Sequence, residues 1–209
     1  LIMLNLNDVK DDGRREFELI PDNTVCRVIL KLQGGHLELP QFGKGQWFKA
    51  SASTKAKWLE IEYTIIGGQY DKQKFWDKIF MDGDKMSERN VPYAQEIGMR
   101  TIKGIVDSAN DLKPSDMDDS AMAKRNLSGV EDLNGLEFCA KIGVQEGTNG
   151  YADKNVLKFP ITFESKDFIA RGAIAGGSVS APSQPQNNTQ ASVSAPSPMQ
   201  GNNVPDWAK

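Results

Sequence analysis

Alternating apolar and polar positions predict β-strands in the first half of the chain. The run VCRVILKLQ (25–33) predicts a strand that ends before a glycine pair. The runs WLEIEYTII (58–66) and QKFWDKIFM (73–81) predict two more strands, separated by a turn. The polar stretch between the first and second of these strands has room for at most a short strand at 46–50.

The alternation also assigns each side chain to a face, because successive strand residues point to opposite sides of a sheet. In 58–66 the apolar residues share one face, which places Trp58 on the polar face. In 73–81 Trp76 lies between Lys74 and Lys78, on the face opposite Phe75. Apolar residues occur on both faces of 73–81, so a β-bulge there would reverse the assignment.

The second half of the chain begins with a helical period and then returns to strands. A first helix is predicted at 92–109, and a second at 115–125 has acids near its start and bases near its end. Strands are predicted again at 136–145 and 156–163. The apolar face of the first helix is formed by Ile102, Ile105, Val106 and Ala109.

Five strands with helices after the third predict a mainly β protein with an α insertion. This order matches an OB-fold-like five-stranded barrel, a small barrel whose exposed face and loops commonly bind oligonucleotides. The fold class by itself therefore favours, without requiring, a nucleic-acid partner.

Composition divides the chain into two parts. Residues 1–170 carry the apolar patterning and are predicted to form one domain with a hydrophobic core. Residues 171–209 are rich in Ser, Pro, Gln and Asn and contain SVSAPS twice, which predicts a disordered linker. The linker ends in NNVPDWAK, so the candidate partner-binding residues are Pro205, Asp206 and Trp207.

Charge is unevenly distributed although the whole chain carries a formal net charge of −3. The segment 27–78 holds nine bases and five acids, whereas 82–119 holds nine acids and five bases. Eight of the aromatic residues lie in the basic segment, and Phe80 follows two positions after it. An acidic total argues mildly against nucleic acid as a partner, but the basic, aromatic segment favours it.

The residue inventory does not predict an enzyme. Cys26 and Cys139 lie far apart in strand-like runs, which favours packing roles over a disulfide. A single histidine, His36, predicts neither a zinc site nor a catalytic triad, and no GxxxxGK[ST] motif is present. We therefore expect no catalytic residue, no metal and no cofactor. With no secretion signal or membrane span, we expect a cytoplasmic protein with no membrane partner.

Aromatic rings flanked by ammonium groups suit single-stranded DNA, because unpaired bases stack on rings and phosphates require cations. Trp76 has lysines on both sides, and Trp58 follows two lysines closely. The alternative for Trp76 is an amphipathic strand whose lysine stems cover a half-buried ring. The predicted DNA-binding residues are Lys31, Trp47, Phe48, Lys49, Lys55, Lys57, Trp58, Lys72, Lys74, Trp76 and Lys78.

An ordered set of motifs over roughly 16–165 resembles a family of phage-encoded single-stranded-DNA-binding proteins, small proteins long catalogued as a domain of unknown function. The motifs are IPDNTVCRVIL, STKAKWLEIEYTIIGGQYDKQKFWDKIFM, AQEIGMRTIKGIVDSA and LNGLEFCAKIGVQEGTNGYADKNVLKF. The resemblance implies an OB-like core that coats single strands in phage replication or recombination, in the cytoplasm of an infected bacterium. The tail is similar in layout to bacterial single-stranded-DNA-binding proteins, which implies recruitment of replication or recombination enzymes. Its tip has one acid and closes on lysine, which departs from an acidic cluster.

Two other functions remain open from the sequence. The chain could be a replication or recombination adaptor whose aromatic face binds protein and whose tail tethers an enzyme. It could also be a magnesium-dependent nuclease subunit that uses clustered acids, although acids at turns and helix starts are more often solvated surface. The candidate acids are Asp82, Asp84, Asp116, Asp118 and Asp119.

Overall fold

Six strands and two α-helices follow one another in the computed structural model, which describes residues 18–148 and 150–173. The strands are β1 (Thr24–Leu32), β2 (Phe48–Ala50), β3 (Lys57–Ile66), β4 (Lys74–Asp82), β5 (Glu137–Gln145) and β6 (Lys154–Pro160). The helices are α1 (Tyr93–Ala109) and α2 (Asp119–Arg125), and 3₁₀ turns occur at Pro40–Phe42 and Val130–Leu133.

The strands form one antiparallel sheet with β3 as its longest member. The order β2-β3-β1-β5-β6 runs across the sheet, and β4 pairs with the other edge of β3. β1 pairs with the C-terminal half of β3 and β2 with its start, so these two strands share one edge of β3. A bulge lies between Lys57 and Trp58. In this register the polar side chains of β3 lie between those of β1 and β2 on one edge and those of β4 on the other.

The predicted faces of β3 and β4 are confirmed. In β3 the alternate residues from Leu59 to Ile65 are at most 1% exposed, and Trp58 lies on the opposite side. In β4 Phe75 is buried while Trp76 is exposed, so the bulge does not reverse this strand. The core also takes residues from the other strands and from α1, including Val28, Leu30, Phe138, Ile142, Ile102 and Ile105.

Helix α1 packs across β4, β5 and β6. Its predicted apolar face is confirmed for Ile102, Ile105 and Val106, which are buried. A Cβ at Gly98 would lie 2.3 Å from the carbonyl oxygen of Phe80, so this position requires glycine for the helix to approach β4 closely.

Helix α2 is shorter than predicted and begins at an acidic cap. The Asp118 carboxylate accepts hydrogen bonds from the backbone N–H groups of Ser120 and Ala121. Arg125, in its last turn, binds the buried Asp107 carboxylate of α1 with an Nε–Oδ1 distance of 2.5 Å. This ion pair fastens α2 to α1.

Strands β4 and β6 meet without forming a backbone ladder. The Asp77 carboxylate of β4 accepts a hydrogen bond from the backbone N–H of Leu157 at 2.9 Å. Asn155 of β6 is buried and exchanges hydrogen bonds with the backbone of Ile20. We call the line along which β4 faces β6 the seam.

Residues 161–170 cover the outward side of β1 and β5. Arg27 projects outward yet is only 3% exposed, because its guanidinium binds Glu137 at 2.6 Å and the Ile169 carbonyl oxygen at 2.7 Å. The Cys139 thiol lies beneath the same segment, 3.4 Å from the backbone nitrogen of Ile169. Cys139 and Cys26 are both buried and free. The outward sides of β3 and β4 are left uncovered by this segment.

The mainly β architecture with an α insertion is confirmed, and the strand count is corrected from five to six. The added strand is β2, three residues long, and it lies within 46–50, where at most a short strand was predicted. Local alternation could not establish it, because β2 depends on pairing with β3. Among the described helices none is both long and apolar enough to cross a membrane. The predicted linker and its tip, Pro205, Asp206 and Trp207, lie outside the described residues, apart from 171–173.

Candidate nucleic-acid interface

The outward side chains of β3, β4 and the adjoining parts of β1 and β2 form a continuous surface, which we call the open face. Strand register arranges it in rows. Lys31, Glu62 and Trp76 are cross-strand neighbours in one row, and Lys49, Trp58 and Phe80 in another. Between them Glu60 pairs with Lys78. The open face consists of Lys31, Lys49, Trp58, Glu60, Glu62, Lys74, Trp76, Lys78 and Phe80.

Trp76 and Phe80 are the exposed aromatic rings of the open face, at 48% and 43%. Both belong to β4, and each lies two residues from Lys78. Their spacing along one strand presents two ring surfaces with an ammonium group between them. An unpaired base can stack on such a ring without any particular sequence, because every base has a π-face.

Trp58 points outward as predicted but is only partly exposed. The Lys78 ammonium lies 4.6 Å from the centre of its ring, and the Phe80 ring centroid is 5.8 Å away. Its indole N–H is buried and has no hydrogen-bond partner among the described residues. Trp58 therefore supports Phe80 and Lys78 from below and offers less free ring surface than Trp76.

Several lysines of the open face are already paired with carboxylates. Lys74 binds Glu62 at 2.7 Å, and Lys49 binds Glu60. Lys57, at the bulge, binds Asp82 at 2.6 Å, and this hydrogen bond lowers the pKa of the Asp82 carboxyl below its ordinary value. These contacts neutralise part of the positive charge that was predicted to meet phosphates.

Four of the predicted lysines have no carboxylate within 4.0 Å in the part of the chain that the structure describes. Lys31 and Lys78 lie on the open face itself. Lys55 lies in the loop between β2 and β3, and Lys72 lies in the turn between β3 and β4. All four are exposed. They place cations at both ends of β3 as well as along its middle.

Two predicted residues are placed away from the open face. Phe48 of β2 is 1% exposed and packs in the core, so its ring has no free surface for a base. Trp47 packs against the core, and its indole N–H donates to the Lys44 carbonyl oxygen at 2.8 Å. The sequence alone did not predict these positions, because the direction of both side chains depends on the pairing of the short strand β2 with β3.

Sequence reasoning left Phe80 out of the predicted site, although its position is two residues beyond Lys78. Ile29 of β1 and Ile66 of β3 are also outward and 37% exposed. Alternation along the strands places all three side chains on the outward face, so the sequence could have identified them.

Three of the acids considered for magnesium have structural partners, and of these Asp82 binds Lys57. The Asp116 carboxylate accepts a hydrogen bond from the Lys113 backbone N–H, and Asp118 caps α2. Within 18–148 and 150–173, no group of three or more His, Cys, Asp or Glu residues is arranged to hold a metal ion.

No protein-family model matches this chain, and no curated protein matches it either. The chemistry of the open face is therefore the basis on which its function is inferred.

Proposed function

We propose that this protein binds single-stranded DNA without enzymatic action and coats exposed strands. The observation that carries the proposal is the exposed pair Trp76 and Phe80 on β4, with Lys78 between them and Lys31 across the sheet. Bases stack on the rings, and the lysines neutralise the flanking phosphates. Duplex DNA binds more weakly, because its bases are already stacked and cannot reach the rings.

The fold supports this proposal through its strand order. Leaving out the short β2, the order β4-β3-β1-β5-β6 is compatible with an OB-like barrel, in which the two end strands would face each other. We infer that the sheet closes at the seam through the Asp77–Leu157 hydrogen bond and the packing of α1. In such a barrel the outward sides of the second and third long strands, here β3 and β4, are where oligonucleotides bind.

We also propose membership of the phage-encoded single-stranded-DNA-binding family that the sequence motifs resemble. Coating single strands in an infected bacterium's cytoplasm, during replication or recombination, is the role that this family implies. The segment 174–209, with Pro205, Asp206 and Trp207 at its tip, would then recruit replication or recombination enzymes.

Anisotropy titrations with labelled oligonucleotides test the proposal directly. The full chain is titrated against a single-stranded oligonucleotide and the matching duplex, at several salt concentrations. We expect much tighter binding to the single strand, weakening steeply as salt rises. Equal affinity for both forms, or affinity indifferent to salt, would contradict the proposal.

The paired charges of the open face favour a second candidate, a replication or recombination adaptor that binds protein there. Two of its lysines are already neutralised by glutamates, and exposed aromatic residues are typical of protein interfaces as well. In that case the titrations give no salt-dependent binding to any oligonucleotide. The exposed rings would instead be required for association with a replication or recombination enzyme.

A further inference from the structure

A cavity of about 490 Å³ lies along the seam, between β4, β6 and the start of α1. Its volume is within the range of pockets that bind small organic groups. Much of its lining is apolar, with Ile79, Ala94, Ile97 and Leu157 among the contributing residues. A flat, largely apolar group such as a nucleobase suits these walls.

Tyr63, one of the residues that line the cavity, has a buried hydroxyl with no partner among the described residues. Tyr63 is 0% exposed, and its hydroxyl makes no hydrogen bond to any described residue. Burying a hydroxyl without a partner costs free energy, and so most buried hydroxyls are hydrogen-bonded. Tyr63 lines the cavity, so a bound ligand could supply the missing acceptor.

Asp77 supplies hydrogen-bond acceptors in the same cavity. Its two carboxylate oxygens accept one backbone N–H each, from Lys78 at 2.8 Å and from Leu157 at 2.9 Å. A carboxylate has about four lone-pair positions, so about two remain for a ligand. Burial raises the pKa of Asp77, and burial together with the charge of Asp77 raises the pKa of Tyr63. The cavity therefore combines one unused donor with unused acceptors.

The cavity adjoins the open face along β4. Lys78 and Phe80 belong to the open face and also line the cavity. Lys85 lines it as well and would neutralise a phosphate of a strand that crosses β4, whereas the Lys158 ammonium already binds Asn23 and Asp22. A base displaced from the open face can therefore reach the cavity while its neighbours stay on Trp76 and Phe80.

Resting on the proposed function, we propose that the seam cavity holds one unstacked guanine of the bound strand. Guanine is the DNA base that presents two adjacent N–H donors, N1–H and N2–H₂, beside an acceptor, O6. The two donors suit the spare acceptors of Asp77, and O6 suits the unpartnered Tyr63 hydroxyl. Thymine has a single donor between two acceptors, and adenine and cytosine each present a donor beside an acceptor. These three bases would therefore form fewer hydrogen bonds with Asp77 and Tyr63 than guanine.

The test compares oligothymidines that carry one central guanosine, one central inosine or no substitution. Inosine lacks the N2 amino group and is otherwise guanosine. For the native chain we expect the guanosine oligonucleotide to bind about five- to tenfold more tightly than the other two. Tyr63→Phe should reduce this preference while leaving the melting temperature equal or higher, because it removes a buried hydroxyl that has no partner.

A cavity-filling variant provides the matched comparison. Ala94→Phe places a ring in the cavity and should abolish the guanosine preference, whereas Met99→Phe, at an exposed position of α1 that does not line the cavity, should retain it. Equal affinities of the native chain for the three oligonucleotides, with salt-dependent binding intact, would overturn the guanine site and leave the proposed function standing. A preference that survives Ala94→Phe also overturns it. Binding to none of the oligonucleotides overturns both proposals.

Discussion

Trp76 offers more free surface to a base than Trp58, which reverses the order that the strand patterns suggested. Both point outward, but Lys78 and Phe80 lie against Trp58. The regular alternation of β3 assigned the face of Trp58 correctly and carried no information about its neighbours on β4. The exposure of each ring depends on its cross-strand contacts, so Trp76 is the stronger candidate for stacking with a base.

Trp76→Ala should weaken single-strand binding by about 1–3 kcal/mol, the usual loss per stacked base. Folding stability should change by less than about 0.5 kcal/mol, because a half-exposed ring leaves no cavity. Trp58→Ala should lower both stability and affinity, because it removes the support beneath Phe80. Tyr151→Ala, at an 80% exposed ring away from the open face, is the control. Anisotropy and thermal melting separate the two effects; a large stability loss for Trp76→Ala contradicts the assignment.

The Lys57–Asp82 pair should make a small, pH-dependent contribution to stability. The folded-state pKa of Asp82 is below its ordinary value of 3.8, so the contribution is present above that pH and is lost as the pH falls through the folded pKa. Both side chains are about a third exposed, so we expect no more than about 1 kcal/mol. Unfolding titrations of the native chain and Asp82→Asn should differ at neutral pH and converge in acid. A difference that is constant with pH would contradict the ion pair.

At the scale of elements, the segment 161–170 holds the outward side of β1 and β5 through Arg27. Arg27→Met leaves Glu137 and the Ile169 carbonyl oxygen without their donor. We expect a loss of about 2–3 kcal/mol, below the 3–5 kcal/mol of a fully buried pair because Glu137 is partly exposed. The thiol of Cys139 should then react faster with a thiol reagent, measured in a Cys26→Ala background. Unchanged reactivity would show that other contacts hold the segment.

If the protein binds single strands as proposed, the charge pairs along β3 should set the salt dependence of that binding. If Lys31, Lys55, Lys72 and Lys78 each neutralise one phosphate, the slope of log affinity against log salt should be about −3, from roughly −0.7 per phosphate. Lys78→Met should reduce the slope by about 0.7. Lys124→Met, on an exposed turn of α2, is the matched control and should leave the slope unchanged. A slope of about −4 would mean that the glutamate-paired lysines, Lys49 and Lys74, also release counterions.

For the whole molecule, the proposal separates a DNA-binding body from a recruiting tail. A chain that ends at Ala173 retains every described contact, including the 3.7 Å approach of Arg171 to Glu137. We expect its melting temperature and its affinity for single strands to match those of the full chain. Association with replication or recombination enzymes should be lost, and Trp207→Ala in the full chain should reproduce that loss. A lower melting temperature on truncation would contradict the separation.

The sequence by itself determined the faces of the long strands and of α1. Side-chain direction in a strand repeats every two residues and in a helix about every 3.6, so Leu59 inward, Trp76 outward and Ile105 inward follow from local pattern. The mainly β class followed from the same periods. The position of the open face on β3 and β4 therefore follows from local pattern alone.

Only the tertiary structure decided which of the predicted residues remain available to a ligand. Lys49 meets Glu60, and Phe48 enters the core, because β2 pairs with the start of β3. The seam brings Asp77 to β6, some eighty positions further along the chain. Such contacts depend on strand register and on packing between distant segments, for which a local pattern of apolar and polar residues carries no information.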